Sequence, residues 1–182
     1  MRILGVLAVA GFLLGAIFPV VADKQMTPLA VSGDWVAVAH SDTITDPPDV
    51  CLAIEPGTNF AIRADNTDIE FRLANNSWSL PADVTGTLEL EVNGNKYPLG
   101  ITSNTNTMVS ATVKQAEFLQ IVGDMNNASS MSIIAGDAAP AKIPLDGSNT
   151  VMNAFLTCAN IQAPSQGGGT NPFQSASPPA SQ

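Results

Sequence analysis

Apolar and polar positions alternate along most of this chain, in short runs broken by turn residues. The clearest run is 68–73: Ile69, Phe71 and Leu73 point one way, and Asp68, Glu70 and Arg72 the other. Period two with one apolar face predicts a half-buried antiparallel strand. Residues 87–92 repeat the pattern with Leu88, Leu90 and Val92 inward. Asn93-Gly94 follows, a pair suited to the positive φ angles of a tight hairpin turn. The return strand is predicted over 95–99, with Pro98 marking a strand end or an edge. Further strands are predicted over 34–40, 51–54, 59–64, 109–113, 130–135 and 143–145. In the first of these, Trp35, Ala37 and Ala39 share one face and Val36, Val38 and His40 the other. Residues 23–33 read as a lead-in. Residues 41–49 and 102–107 read as polar loops.

The period changes to helical in two places. Residues 114–125 carry Phe118, Leu119, Ile121, Val122 and Met125 on one side. The stretch 143–159, IPLDGSNTVMNAFLTCA, reads as a short strand, an Asp146-Gly147 turn and an amphipathic helix. There Val151, Phe155 and Cys158 recur at i, i+4 and i+7. Ser148 is the expected N-cap. The predicted fold class is therefore α+β: predominantly antiparallel β, sandwich-like, about seven to nine strands by the alternation count, with two short helices towards the C-terminus.

The ends of the chain have a different composition. Met1-Arg2, an apolar stretch from Ile3 to Phe18, Pro19 and the small residues Val20-Val21-Ala22 have the layout of a signal peptide over 1–22. No cysteine stands at the cleavage site to take a lipid. No second apolar run is long enough to span a bilayer, so no stable membrane span is expected after cleavage. Residues 23–161 form one β-rich domain of ordinary size. Residues 162–182 are Ala, Pro, Ser, Gln and Gly in the main, a composition expected to stay disordered. Asn171-Pro172-Phe173 is the only feature in it resembling a short recognition segment.

Charge narrows the function classes. The chain carries a formal net charge of −9, and every Asp and Glu follows the signal segment. An acidic surface disfavours nucleic acid and anionic lipid. There are two cysteines, Cys51 and Cys158. In an exported chain the expectation is one structural disulfide between them, closing a long loop.

Reactive chemistry is sparse. His40, Cys51 and Cys158 are too few and too scattered for a zinc site. Asp42, Asp46 and Asp49 share a loop but lack EF-hand spacing, so no metal and no cofactor is expected. There is no G-x-S-x-G elbow. His40 is the one imidazole, and a hydrolase would have to pair it with a carboxylate of the 42–49 loop. Glu89 and Glu91 share one strand face, with Arg72 as a cross-strand partner, and do not flank a cleft as glycosidase carboxylates must. Trp35, Trp78 and Tyr97 are the candidate ligand platform.

Several of these pieces together resemble the invasion-associated locus B family of small exported alphaproteobacterial proteins. They are Gly33-Asp34-Trp35 opening the first strand, Cys51, Phe118-Leu119 in a helix, Met131-Ser132-Ile133 in a strand, and Ile143 to Ser148 leading into the last helix. The resemblance covers about 33–160. The chain departs from the family in having only two cysteines. The resemblance implies an envelope protein, linked in some members to host-cell invasion or surface integrity, and it transfers no catalytic residue. The expected function is thus an exported, periplasmic or secreted, non-catalytic protein with a binding or structural role, its partner another envelope protein or a host protein. The alternatives are an accessory or inhibitor subunit of another exported protein, and a hydrolase built on His40.

Overall fold

A computed structural model describes residues 25–43 and 45–162. The signal segment expected over 1–22 lies outside the described residues, as does all but Gln162 of the tail expected over 162–182. Ten strands and two helices are present among the described residues. They are β1 (Gln25–Ser32), β2 (Trp35–Ser41), β3 (Val50–Glu55), β4 (Phe60–Asp65), β5 (Ile69–Ala74), β6 (Thr85–Val92), β7 (Asn95–Thr105), β8 (Met108–Val113), α1 (Gln115–Met125), β9 (Ser130–Ala135), β10 (Ala141–Pro144) and α2 (Ser148–Cys158). The strands form a single sheet in the order β1-β2-β3-β4-β5-β8-β7-β6-β9-β10. Every neighbouring pair is antiparallel. The α+β, β-rich expectation matches this architecture. Any sandwich character comes from one sheet curling on itself rather than from two separate sheets.

Alternation decides which face is inside. Trp35, Ala37 and Ala39 of β2, Phe60, Ile62 and Ala64 of β4, and Ile69, Phe71 and Leu73 of β5 are all buried. So are Leu88, Leu90 and Val92 of β6 and Tyr97, Leu99 and Ile101 of β7. Small side chains sit beside one another in register on the inner face of β2–β4: Ala37 opposite Ala53, Ala39 opposite Cys51, Cys51 opposite Ala64. They make a low floor, and α2 lies against the first three strands. Both helices then complete a chain of rings. Trp35 meets Phe60, Phe60 meets Phe71, Phe71 meets Phe118 of α1, and Phe118 meets Phe155 of α2, with centroids 5.8–6.0 Å apart. Each such pair adds about 0.5–1.5 kcal/mol beyond the area it buries.

The last segment is fastened to the first hairpin in two ways. Cys51 and Cys158 form the expected disulfide, with Cα atoms 6.0 Å apart and a sequence separation of 107. Beside it, the β1–β2 turn seats against the turn before α2. Trp35 Nε1 donates to the Pro144 carbonyl at 2.8 Å, and Asp34 N–H to the Asp146 carbonyl at 3.3 Å. Gly147 has φ +79°, and a Cβ there would stand 1.9 Å from the Ser32 carbonyl oxygen. Only glycine fits that approach.

Three expectations need correction. Residues 23–33 are not a lead-in, because Gln25–Ser32 is a full edge strand. Its register shifts between Pro28 and Ala30, which breaks the period-two signal. The return strand does not stop at Leu99: β7 runs eleven residues to Thr105, through Pro98 and into the supposed loop. Pro98 is tolerated because bonded and non-bonded pairs alternate outward from the Asn93-Gly94 turn, so its nitrogen points away from β6. On that other side the pairing with β8 begins only at Thr102. Finally, Ser148 is not the N-cap of α2. Gly147 holds that position, with no side-chain cap bond, and Ser148 is the first helical residue, 1% exposed. The close approach of the Ser32 carbonyl leaves no space for a side chain at the cap.

Candidate functional site

The expected ligand platform does not assemble. Trp35 is 1% exposed in the core, held by its bond to Pro144. Tyr97 is 6% exposed on the inner face of β7. Its hydroxyl donates to Asp124 Oδ2 of α1, which also accepts from Asn95 Nδ2 at 2.7 Å. Burial first, and then the Asp124 carboxylate, push the Tyr97 phenol up to about 12. The Tyr97 and Asn95 hydrogen bonds hold the Asp124 carboxyl below its usual value. This cluster fastens α1 to the β6–β7 hairpin.

Trp78 stands apart, half-buried at the mouth of a cleft of about 140 Å³. Leu73 and Ile133 form the buried floor, Ala135 and Ala139 a wall, and Thr58 and Asn75 the polar rim. Local bonds set the tryptophan there. Trp78 N–H donates to the Asn75 carbonyl at 3.0 Å, and Asn75 N–H to the Thr107 carbonyl at 2.9 Å. The Asn75 side chain accepts from Ser77 N–H at 2.9 Å. The cleft opens where the β3–β4 turn and the end of β5 face β9 and β10, which are distant from them in sheet order. Its volume is close to the roughly 150 Å³ that holds one benzene ring in an engineered apolar cavity. It can take one small apolar group against the indole, with hydrogen bonds offered at the rim.

The ionisable groups have other partners. His40 Nδ1 donates to Asp49 Oδ1 at 2.6 Å. That hydrogen bond holds the Asp49 carboxyl below its ordinary value. The pair expected for a hydrolase therefore exists as a contact. The neighbouring Ser41 lies on the opposite face of β2, 7% exposed, and its hydroxyl donates to the Thr43 carbonyl at 2.8 Å. No hydroxyl or thiol nucleophile is bonded to His40 among the described residues.

Arg72 does not serve Glu89 or Glu91. It bonds Glu70 on its own strand, through Nε at 2.8 Å and its guanidinium NH2 at 2.6 Å. Lys96, opposite Glu91 in register, is the partner instead, 2.7 Å from Glu89 and 3.8 Å from Glu91. Asp65 accepts from the backbone N–H groups of Asp68 and Thr67, which with Arg63 lower its carboxyl.

Glu55 is a buried acid, 3% exposed, that sequence reasoning passed over. Its carboxylate accepts from Gly57 N–H at 2.9 Å, Thr58 N–H at 2.8 Å and the Thr58 hydroxyl. It closes the β3–β4 turn. The signal for this was Glu55-Pro56-Gly57-Thr58, an acceptor placed just before two free turn amides. Among the described residues no three His, Cys, Asp or Glu side chains gather as a metal-binding group, and no helix is long and apolar enough to cross a membrane.

No family model, curated protein or solved structure matches the chain.

Proposed function

We propose that this chain is an exported envelope protein with a binding role and no catalytic one, in keeping with the invasion-associated locus B resemblance. The observation that carries this reading is the contrast between the Trp78 cleft and the ionisable groups. The cleft is concave, apolar and half-open, with polar groups only at its rim. The Glu55 and Asp65 carboxylates close turns, and Glu70 is paired with Arg72 on its own strand and with Arg63 across on β4. The Cys51–Cys158 bridge is a long-loop structural disulfide of the kind that persists in oxidising compartments. An apolar side chain from an envelope or host partner is the occupant that suits the cleft's size.

The test is site-specific photo-crosslinking in the producing cell, with a photoreactive residue in place of Asn75 on the rim. One adduct of discrete mass, lost when Leu73→Trp fills the cleft, is the expected result. Absence of any adduct, together with an ester- or peptide-hydrolysing activity that His40→Ala abolishes, would replace this reading with the hydrolase.

A further inference from the structure

The Trp78 cleft takes one small apolar group, and the chain itself carries such a group beyond the described domain. Phe173 is the one aromatic and the one large apolar side chain between Ala163 and Gln182. None of those twenty residues has a charged side chain, so the acidic domain before them does not repel the segment. The cleft, about 140 Å³, is close to the roughly 150 Å³ that one benzene ring fills, and phenylalanine carries that ring. Leu73, Ile133 and Ala135 offer it apolar contact, and Trp78 an aromatic partner. The rim suits the backbone on either side of the ring. The Asn75 side-chain oxygen is taken up by Ser77, while its Nδ2 donates no hydrogen bond among the described residues. Pro172 brings a carbonyl to accept from it and no N–H to leave unpaired, and it biases Asn171 towards an extended backbone.

We propose that Phe173 docks in the Trp78 cleft of its own chain, so that the segment around it covers the binding site until a partner displaces it. This rests on the cleft being the partner-binding site, and it names what holds that site when no partner is present. The reach of the chain allows it. Ala159, Asn160 and Ile161 line a groove with Asp65, Ile69 and Gln115, and Gln115 Nε2 donates to the Gln162 carbonyl at 3.2 Å. The chain therefore leaves the domain at the Ile69 end of β5, and the cleft lies at the Leu73–Ala74 end of the same strand. The five residue steps from Ile69 to Ala74 cover about 17 Å. Eleven steps separate Gln162 from Phe173, with Gly167-Gly168-Gly169 near their middle. For a Gly- and Ser-rich composition they span about 17–20 Å on average. Fully extended they reach about 36–40 Å, enough for a path over the surface. A tether of that length gives an effective concentration on the order of 1 mM. One ring with few polar contacts binds weakly, so a partner with more contacts displaces it.

Iodide quenching of the purified, oxidised protein, with residues 163–182 retained, tests this, because Trp78 is half-buried and Trp35 lies in the core. Phe173→Ala should raise the Trp78 quenching constant about 1.5-fold or more, with an unchanged thermal melt. Phe173→Leu, which keeps an apolar side chain without the ring, should raise it less. N-acetyl-phenylalaninamide is the probe for the ring alone. It should protect Trp78 in Phe173→Ala, and the unsubstituted chain should need about twofold more of it. A small diazirine-bearing residue in place of Ala138, exposed on the cleft wall, supplies a direct readout. Illuminated at about 1 µM protein, far below the effective concentration of the tether, it should crosslink to a peptide from 163–182 within one chain. A crosslinked product of two chains' mass would assign the ring to a second copy and overturn the proposal. So would equal quenching in Phe173→Ala and the unsubstituted chain. If the probe still protects Trp78 in that case, the cleft remains a binding site and only Phe173 is excluded as its occupant. If the probe protects Trp78 in neither chain, the cleft takes no ring, and the partner-binding reading falls with the proposal.

Discussion

Replacing Gly147 by Ala tests how the end of the domain is held to its beginning. Gly147 and Gly94 both have φ +79°, so an alanine at either position bears a similar left-handed penalty, about 1–2 kcal/mol. They differ in what surrounds them. A Cβ at Gly94 meets nothing within 4 Å. A Cβ at Gly147 would lie 1.9 Å from the Ser32 carbonyl oxygen and 2.6 Å from the Gly33 nitrogen, both backbone atoms that cannot rotate aside. Relief requires the two turns to part. That stretches the Asp34–Asp146 bond and pulls the Trp35 indole from Pro144. Overpacking costs about 1–3 kcal/mol. Each weakened hydrogen bond adds about 0.5–1.5 kcal/mol. The sum for Gly147→Ala is about 3–8 kcal/mol, against a total stability of about 5–15 kcal/mol for an ordinary domain. At roughly 2–4 °C per kcal/mol for a domain of this size, the melting temperature should fall about 6–30 °C. Gly94→Ala should fall only about 2–8 °C on the same scale. Thermal melts of the oxidised protein followed by circular dichroism measure both. Equal shifts in the two variants would show that the turns do not bear on each other, and the reasoning would fail.

Three further outcomes follow from the same structure. Reducing the Cys51–Cys158 bridge should destabilise the protein by up to about 4–5 kcal/mol, the chain-entropy value for so long a loop; denaturant melts with and without reductant check it. Tyr97 is the one tyrosine, so an ultraviolet titration reads it alone, and its midpoint should lie near 12 rather than 10. Because the folded value is raised, this phenol's contribution to stability is complete below pH 10 and is lost as pH rises through 12; a midpoint at 10 in the folded protein would contradict the Asp124 contact. Iodide should quench Trp78 and spare Trp35, so Trp78→Phe should remove the quenchable fraction of the emission while Trp35→Phe leaves it.

The elements themselves were legible in the chain. Alternation in 68–73 and 87–92 named the buried side chains of β5 and β6 before any neighbour was known, because a strand's two faces follow from its own backbone geometry. Asn93-Gly94 likewise determined its hairpin, since both residues have the positive φ that the turn requires. Residues 143–159 showed their strand, turn and helix in the same local way. Composition and compartment were enough to expect the Cys51–Cys158 bond.

Partner choice was not legible. Nothing in the alternation of β5 says that it pairs with β8 rather than with β6, because the same period fits any neighbouring strand. Pro98 was read as a stop because the sequence does not state which side of β7 lacks a partner. β1 was missed because a register shift erases period two. Trp35 and Trp78 have the same side chain. One is core and the other lines a cleft because the sheet curls until Pro144 reaches the first indole and β9 faces the second. Ser148 lost the cap for the same reason: the Ser32 carbonyl, more than a hundred residues away in sequence, occupies the space a capping side chain would need. Local periodicity determined the elements and their faces. The curl of the sheet, a sum of long-range contacts, decided which residues meet and which remain free to bind.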